Sequence, residues 1–250
     1  MKDKVVIITG AARGLGQKYV IEFAKLGAIV AFADINSCDE TEDLVKEITS
    51  DYIKAELDVT DYNSCLKLAE EVKNKFKKID VLINNAALYG ALKSSRFEDI
   101  DEKQWDRAMS VNVKGVWNCI KAVVPTMREQ KSGSIINIAS LAALYGMPYA
   151  ADYAASKAAV IGLTRVIARE VGRDNIRVNS VAPSMVKTES AKEFLGEKAD
   201  RGFEVISKSQ ILQKTLEVDD IYGTLLYLAG DHSKFVTGQT IMVDGGSVLL

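Results

Sequence analysis

Short apolar runs rich in β-branched residues alternate along the chain with longer segments whose apolar residues recur at helical spacing. This alternation is typical of βαβ units, in which each helix returns the chain to the same edge of a parallel sheet. The sequence therefore predicts an α/β fold with a doubly wound parallel sheet of about seven strands and helices on both faces. The strands are expected at Lys4–Thr9, Ile29–Asp34, Tyr52–Leu57, Val81–Asn84, Gly133–Ala139, Ile176–Val181 and Thr240–Val243.

The segments between these strands predict the helices. Residues 188–216 depart from the strict alternation, because their helical pattern is broken by Gly196 and Gly202. We interpret this segment as an insertion that covers the substrate site, since such loops commonly carry function. No linker rich in Gly, Ser or Pro divides the chain, so residues 1–250 are expected to form one domain. The helices are expected at Leu15–Leu26, Glu40–Ser50, Tyr62–Phe76, Glu102–Glu129, Tyr153–Val171 and Val218–Ala229.

Composition and charge narrow the classes of function. Hydrophobic residues make up 48% of the chain and charged residues 26%, which argues against a disordered or fibrous protein. The 32 basic and 34 acidic residues are interspersed, so neither nucleic acid nor an anionic membrane is an expected partner. No apolar run approaches the roughly 20 residues that span a bilayer. The N-terminal residues lack the pattern of a secretory signal, and a cytoplasmic protein is therefore expected.

The few residues with metal or thiol chemistry limit the possible mechanisms. The chain has one histidine, His232, and three cysteines, Cys38, Cys65 and Cys119, which are widely spaced and form no CxxC motif. We therefore expect no metal site, no disulfide framework and no Ser-His-Asp triad. The cysteines are interpreted as reduced thiols within the fold.

The first predicted strand runs into a glycine-rich turn, with the sequence TGAARGLG at residues 9–16, and a helix follows. Glycines let the chain turn tightly, bring a pyrophosphate close to the backbone and pack the helix against the strand. The helix N-terminus attracts phosphate. The spacing is TGxxxGxG rather than GxGxxG, and the turn predicts a dinucleotide site. The residues expected to contact the cofactor here are Gly10, Arg13, Gly14, Leu15 and Gly16.

The end of the second predicted strand bears on the choice of cofactor. Asp34 lies roughly 20 residues beyond the turn, where a carboxylate can accept hydrogen bonds from the adenosine ribose hydroxyls. Asp34 should repel a ribose 2′-phosphate, whereas Arg13 beside the turn could bind one. We give Asp34 the greater weight, because Arg13 can turn to solvent or to the pyrophosphate at little cost. NAD is the expected cofactor, and NADP is the less favoured one.

A candidate acid/base pair opens the predicted helix that begins near residue 153. Tyr153 and Lys157 are four residues apart, so the phenol and the ammonium share one helix face. A nearby positive charge lowers a phenol pKa from about 10 toward the range of a general acid/base. Ser140 follows the fifth strand, at the edge where open α/β sheets bind ligands, and can hydrogen-bond a substrate oxygen. Asn112 is polar within an apolar helical segment, and is either a member of a structural network or a relay.

These motifs occur together in one order, namely TGxxxGxG, Asn-Asn-Ala-Ala at residues 84–87, Asn112, Ser140 and YxxxK. In this order they resemble the short-chain dehydrogenase/reductase family, over essentially the whole chain. The resemblance implies a single Rossmann-type domain that transfers a hydride between NAD(H) and a secondary alcohol or ketone. It also implies a homotetramer, with the last strand and the tail in subunit contacts.

The resemblance implies roles for individual positions. Tyr153 would be the general acid/base, and Lys157 would lower its pKa and bind the nicotinamide ribose. Ser140 would polarise the substrate oxygen, and Asn112 would hold a water on the proton relay. Further cofactor contacts would come from Asp58, Val59, Asn85, Ala86, Pro183, Val186 and Thr188.

Two positions depart from the family pattern. Ala87 replaces the usual glycine, which should matter little, and Ser184 replaces the glycine that usually follows Pro183. Ser184 is expected to stiffen the floor of the site, and this variant resembles members that act on aryl or cyclic secondary alcohols. The pocket is expected to be fairly apolar and to be lined by residues 89–95, 141–149 and 188–216, although each candidate side chain could instead belong to the core or to an interface. These candidates are Tyr89, Leu92, Leu144, Tyr145, Met147, Phe194 and Phe203.

Two other functions remain open at this stage. A 3-oxoacyl-[acyl-carrier-protein] reductase would share all four catalytic positions and use NADPH, and Asp34 makes it the second choice. A non-catalytic dinucleotide-binding module is disfavoured by the intact set of Ser140, Tyr153 and Lys157.

Overall fold

Seven parallel strands form one sheet in the order β3-β2-β1-β4-β5-β6-β7, which confirms the predicted fold class. The structure is a computed structural model that describes residues 1–249, with residue 198 described by its backbone alone. Leu250, the last residue of the predicted domain, lies outside the described residues. The strands are β1 Val5–Thr9, β2 Ile29–Asp34, β3 Tyr52–Glu56, β4 Val81–Asn84, β5 Gly133–Ile138, β6 Ile176–Pro183 and β7 Thr240–Val243.

The central strands are covered on both faces. Every residue of β1, β4 and β5 is buried, and for this reason the strands are nearly continuous apolar runs without alternation. Helices on the two sides of the sheet produce two apolar clusters, one containing Ile7 and Leu82 and the other containing Ile8 and Ile83. Consecutive residues of one strand point to opposite faces, so each strand contributes to both clusters.

Ten helices connect or flank these strands among residues 1–249. None of them combines the length and the apolar character that would be needed to cross a bilayer. They are α1 Gly14–Lys25, α2 Asp39–Lys46, α3 Tyr62–Phe76, α4 Glu102–Met109, α5 Gly115–Gln130, α6 Ala142–Tyr145, α7 Ala151–Val171, α8 Glu189–Leu195, α9 Ala199–Ser209 and α10 Val218–Ala229.

The direction of winding reverses between β1 and β4, which are neighbours in the sheet. At such a switch point the loops that follow the two strands leave in opposite directions and open a crevice at the carboxyl edge. The glycine-rich turn follows β1, and Asn85 follows β4. Ser140 follows β5 along the same edge, and Pro183 ends β6. The topology therefore gathers most of the predicted site residues at one edge.

The predicted helix Glu102–Glu129 is interrupted in the structure. Residues Ser110–Lys114 form a π-helical turn between α4 and α5. Asn112 lies at its centre, is fully buried and forms hydrogen bonds outside the helix. The apolar spacing continues through the turn, so periodicity alone predicts one helix. Turns of this kind are frequent at functional sites.

The segment 188–216 contains α8 and α9. Gly196 ends α8 with a φ of +59°, as expected of a helix-breaking glycine. The expectation that Gly202 also breaks the pattern is wrong, because Gly202 lies inside α9. A Cβ at Gly202 would lie 2.9 Å from Cδ1 of Leu195, so glycine allows α9 to pack closely against the end of α8.

Candidate active site

A cavity of about 1160 Å³ lies at the carboxyl edge of the sheet. Its walls come from the turn after β1, the ends of β2 to β6, α7 and α8. Of the candidate catalytic and cofactor-binding residues, Asn112 alone is not among those that line it. The lining includes Gly10, Arg13, Gly14, Leu15, Gly16, Asp34, Asp58, Val59, Asn85, Ala86, Ser140, Tyr153, Lys157, Pro183, Val186 and Thr188.

The glycine-rich turn is closely packed on one side and open on the other. Gly10 and Gly14 have φ values of +68° and +61°, which favour glycine. A Cβ at Gly16 would clash with the carbonyl oxygen of Gly10 and would lie 2.7 Å from Nδ2 of Asn85. A Cβ at Gly14 would meet nothing within 4 Å, because this residue faces open space.

The loop after β4 holds the turn in place. Nδ2 of Asn85 donates hydrogen bonds to the carbonyl oxygens of Thr9 (3.0 Å) and Gly10 (2.9 Å). Oγ1 of Thr9 accepts from the backbone nitrogens of Asn85 (3.1 Å) and Ala86 (3.0 Å). These four bonds fix the ends of two neighbouring strands relative to each other. The Asn-Asn-Ala-Ala run therefore has a structural function at the edge of the cavity.

Asp34 connects the end of β2 to the same turn. One carboxylate oxygen accepts from the backbone nitrogen of Ala12 at 3.1 Å. The other oxygen accepts from the backbone nitrogen (3.0 Å) and the side-chain amide (3.2 Å) of Asn36. Asp34 is half-buried and lines the cavity. Each carboxylate oxygen has two lone pairs, and three of these four sites are used, so the group can accept one further hydrogen bond, as from a ribose hydroxyl.

Arg13 forms a bidentate ion pair with Glu193 on α8. Nη1 and Nη2 of Arg13 lie 2.7 and 3.0 Å from the two carboxylate oxygens of Glu193. Hydrogen bonding to Glu193 raises the pKa of the Arg13 guanidinium, and the same contact lowers the pKa of the Glu193 carboxyl. Sequence reasoning left Arg13 facing solvent, the pyrophosphate or a 2′-phosphate, and it did not identify Glu193.

Ser140, Tyr153 and Lys157 meet beyond the end of β5. Lys157 is buried, and its Nζ donates to the carbonyl oxygen of Ile138 at 2.7 Å. The same nitrogen lies 5.8 Å from the centre of the Tyr153 ring. The Ser140 hydroxyl accepts from the backbone nitrogen of Ala142 at 3.2 Å and lies beside the Tyr153 phenol. The four-residue spacing on α7 thus brings the phenol and the amine to one region, as predicted.

Burial shifts the pKa values of Tyr153 and Lys157 away from their ordinary values. Burial raises the pKa of Tyr153 to about 12, and the hydrogen bond with Ser140 acts in the opposite direction. Burial lowers the pKa of Lys157 to about 8. The sequence predicts that Lys157 lowers the phenol pKa, but here the lowering influence is Ser140 and burial outweighs it. The physical reason is that desolvation disfavours the charged form of each group.

Asn112 lies behind the wall of the cavity, hydrogen-bonded to the lining residue Leu88. Its Oδ1 accepts from the backbone nitrogen of Leu88 at 2.7 Å, and its Nδ2 donates to the Leu88 oxygen at 3.1 Å. Nδ2 also donates to Oγ of Ser156 at 3.0 Å, and Ser156 donates to the carbonyl oxygen of Tyr153 at 2.7 Å. The side chain therefore joins the loop after β4 to the first turns of α7.

An aromatic stack connects α8 to the candidate catalytic phenol. The ring centre of Tyr89 lies 4.7 Å from that of Tyr153 and 4.7 Å from that of Phe194. Tyr89 follows β4, so the stack bridges the cavity from α7 to the segment 188–216. Sequence reasoning proposed Tyr89 and Phe194 as pocket residues but did not predict their contact, because no local motif encodes it.

The remaining apolar candidates divide between the cavity and the core. Tyr145 and Met147 line the cavity together with Tyr89. Leu144 packs against the core cluster instead. Leu92 and Phe203 are buried at 4% and 5% exposure and are not among the lining residues. Leu141, just before α6, and Val205 and Ile206 of α9 also line the cavity, within stretches that the sequence assigns to the pocket. Met185 after β6, and Ser247 and Val248 of the tail, line it without having been predicted.

Ser184 connects the floor of the cavity to α9. Nε2 of Gln210, which follows α9, donates to Oγ of Ser184 at 3.3 Å, and both residues are buried. A glycine at position 184 would lack this contact. This hydrogen bond supports the expectation that Ser184 stiffens the floor of the cavity, because it links Ser184 to the residue that follows α9.

Comparisons with known proteins place the chain in a family. A family model described as enoyl-(acyl carrier protein) reductase matches residues 10–247. The 3-oxoacyl-[acyl-carrier-protein] reductase of Thermotoga maritima is 40% identical over 253 residues, covering 100% of this chain and 99% of the relative. The chain belongs to the short-chain dehydrogenase/reductase family. It is therefore an oxidoreductase that acts on CH–OH groups, and its family binds nicotinamide dinucleotides.

Solved structures of this family have the same architecture. Levodione reductase superposes with a TM-score of 0.92 at 30% identity, covering 98% of this chain and 97% of that one. Carveol dehydrogenase from Mycobacterium avium, in complex with NAD, gives a TM-score of 0.92 at 29% identity, covering 99% and 98% of the two chains.

The cavity fits a dinucleotide. Gly14 leaves open space beside the N-terminus of α1, where a pyrophosphate can approach backbone N–H groups. Asp34 at one end and Lys157 at the other offer an acceptor and a donor for ribose hydroxyls along one continuous cavity. Within residues 1–249, no group of three or more His, Cys, Asp or Glu side chains is arranged to hold a metal ion.

We expect Gly16→Ala to disrupt both folding and dinucleotide binding. The added methyl would clash with the Gly10 carbonyl, so α1 must shift from β1, and we expect a loss of about 3 kcal/mol in the free energy of unfolding. Gly14→Ala is the matched control, since its methyl enters open space at a positive φ and should cost about 1 kcal/mol. Denaturant titration measures both, and equal losses would contradict this account of the turn.

We expect the burial of Lys157 to make stability depend on pH. Its pKa is about 8 in the folded state against 10.5 ordinarily, so between these values the unfolded chain binds more protons and stability rises with pH. Lys157→Met lacks this gain. From pH 8 to pH 10.5, the free energy of unfolding of the parent should therefore rise by up to about 3 kcal/mol more than that of the variant. Urea titrations across that range test this, and a constant difference would refute it.

Proposed function

We propose that this chain transfers a hydride between NAD(H) and a secondary alcohol or its ketone, with aryl or cyclic compounds as the preferred substrates. The observation that carries the proposal is the meeting of Ser140, Tyr153 and Lys157 in a cavity with Asp34 at its other end. The candidate acid/base group Tyr153 and apolar lining residues such as Met147 therefore border the same cavity.

Each residue has a distinct task in the proposed reaction. Ser140 donates a hydrogen bond to the substrate oxygen, and Tyr153 passes a proton to it in reduction or removes one in oxidation. Bound nicotinamide dinucleotide supplies or accepts the hydride. A Tyr153 pKa of about 12 keeps the phenol protonated at neutral pH, which suits ketone reduction. Lys157 binds the nicotinamide ribose, and Asn112 acts through Ser156 to position the first turns of α7.

The remaining contacts to the cofactor follow the walls of the cavity. We propose that the N-terminus of α1 with Gly14 binds the pyrophosphate and that Asp34 binds the adenosine ribose. Asp58 and Val59, which follow β3, would contact the adenine. We propose that Asn85 and Ala86 lie beside the adenosine ribose. At the nicotinamide end we propose contacts from Pro183, Val186 and Thr188. The Thr188 hydroxyl also caps α8, accepting from the backbone nitrogen of Ala191 at 3.2 Å.

The substrate end of the cavity supports an uncharged, fairly apolar substrate. Tyr89, Leu141, Tyr145, Met147 and Val248 line this end beside the catalytic phenol. Flat aromatic walls favour stacking with planar or cyclic groups. The solved relatives include a levodione reductase and a carveol dehydrogenase. We propose that residues 188–216 cover the bound substrate.

One specific observation favours a second candidate function. The relative from Thermotoga maritima is a 3-oxoacyl-[acyl-carrier-protein] reductase at 40% identity, so reduction of a 3-oxoacyl thioester with NADPH is the alternative. Asp34 at the ribose and the pairing of Arg13 with Glu193 weigh against a 2′-phosphate and make it second. The presence of Ser140, Tyr153 and Lys157 in one cavity argues against a non-catalytic binding module.

We further propose a homotetramer in the cytoplasm, where the three free thiols would stay reduced. Exposed apolar side chains on two parts of the surface support assembly. One part carries Trp105, Trp117 and Val166 on α4, α5 and α7, and the other carries Tyr227 and Phe235 near the C-terminus. Light scattering coupled to gel filtration measures the state, and a monomer at micromolar concentration would contradict it.

We expect Tyr153→Phe to abolish turnover while NAD binding stays nearly intact. The change removes the transferable proton and retains the ring that stacks on Tyr89. The loss in kcat should reach about a thousandfold or more. Single-wavelength assays with cyclic ketones, together with fluorescence titration of NADH, measure both properties. A variant that retains more than a few per cent of parental kcat would remove Tyr153 from this role.

We expect NAD to be preferred over NADP by about a hundredfold in kcat/KM. A 2′-phosphate would replace the ribose bonds of Asp34 with like-charge repulsion in a half-buried site. Asp34→Ser should reduce this ratio by at least tenfold. Initial-rate kinetics with both cofactors measure it, and equal values in the parent enzyme would show that NAD dependence is wrong.

A further inference from the structure

The ion pair between Arg13 and Glu193 joins two parts of the molecule that are far apart in sequence. Arg13 lies in the glycine-rich turn next to Ala12, whose backbone nitrogen donates to Asp34. Glu193 lies on α8, in the segment proposed to cover the substrate. The guanidinium of Arg13 therefore lies within electrostatic range of the Asp34 carboxylate and is hydrogen-bonded to a residue of α8.

Glu193 accepts hydrogen bonds from the two Arg13 nitrogens that a phosphate would need. A guanidinium binds phosphate best through two parallel N–H bonds, as it binds a carboxylate. Nη1 and Nη2 of Arg13 already donate to the two oxygens of Glu193, at 2.7 and 3.0 Å. A ribose 2′-phosphate near Asp34 would therefore have to displace Glu193 before it could form a bidentate contact with Arg13.

Two contacts hold α8 where Glu193 can reach Arg13. Phe194 stacks on Tyr89, with 4.7 Å between the ring centres. Gly90 lies directly beneath α8, since a Cβ there would clash with the Glu193 carboxylate and lie 2.9 Å from the carbonyl oxygen of Ser190. The position of Glu193 is thus fixed by packing on the loop after β4 and does not depend on the ion pair alone.

We propose that Glu193 is a second determinant of cofactor selectivity, acting with Asp34 by keeping Arg13 paired and unavailable to a ribose 2′-phosphate. This role rests on the proposed preference for NAD. Asp34 repels the phosphate directly, whereas Glu193 removes the attraction that would offset this repulsion. Both side chains of the pair are partly exposed, at 59% for Arg13 and 44% for Glu193, so the effect is moderate and decreases with added salt.

The test compares binding of adenosine 2′,5′-bisphosphate with binding of 5′-AMP, which differ only in the 2′-phosphate. Isothermal titration calorimetry at low ionic strength gives both Kd values without any catalysis. In Glu193→Gln, the ratio of the two constants should shift about tenfold toward the bisphosphate. Circular dichroism confirms that this isosteric surface variant is folded.

The matched control is Glu189→Gln, which removes the same charge from the same helix. Glu189 is paired with Lys192 at 2.6 Å, and its charge acts on Arg13 less strongly than that of Glu193, which is hydrogen-bonded to the guanidinium. The control should change the ratio less than twofold. Adding Arg13→Gln to Glu193→Gln should abolish the tenfold gain, because the phosphate then has no guanidinium to bind.

Two results would overturn the proposal, namely an unchanged ratio in Glu193→Gln, or an equal gain in the Glu189→Gln control. Failure of the proposed NAD dependence is a separate result. It would appear as an NADP preference in the kinetics of the parent enzyme, whereas the Kd ratio of the variants tests Glu193 without reference to turnover.

Discussion

The site depends on one close contact, that of Gly16 at the start of α1 with the carbonyl oxygen of Gly10 at the start of the turn. Only glycine permits this approach, and it lets α1 begin immediately beside β1 with its N-terminus directed at the cavity. The bonds from Asn85 and Asp34 then hold the turn from two sides. The position of Arg13, and with it the pairing to α8, follows from the same packing.

At the opposite end of the cavity, function conflicts with stability. Lys157 has 3% exposure and one hydrogen bond, to Ile138, so its charge is poorly solvated. Burial shifts the pKa values of Lys157 and Tyr153 in opposite directions, toward the neutral amine and the neutral phenol. A site of this kind is unfavourable for the folded protein alone, and it is suited to ligands that supply polar partners for the two groups.

The sequence was sufficient to predict the sheet and its strands to within about two residues. It also predicted that the candidate residues of the local motifs meet at one edge of the sheet. Tyr153 and Lys157 share a helix, and Asp34 ends a strand, so short spacings place them. Glu193 could not be predicted because it meets Arg13 across 180 residues of chain. The π-helical turn at Asn112 was also missed, since it coincides with a contact to Leu88, 24 residues away in the chain. Contacts between elements carry no signal in a single sequence.

The activity proposed for this site is hydride transfer between a carbinol carbon and NAD. The most direct measurement uses a cyclic secondary alcohol that carries deuterium on the carbinol carbon, incubated with the enzyme and NAD. Mass spectrometry of the NADH formed should show one deuterium per molecule. The Tyr153→Phe variant should form no deuterated NADH. NADH without deuterium, or no NADH from any of a panel of secondary alcohols, would contradict the account.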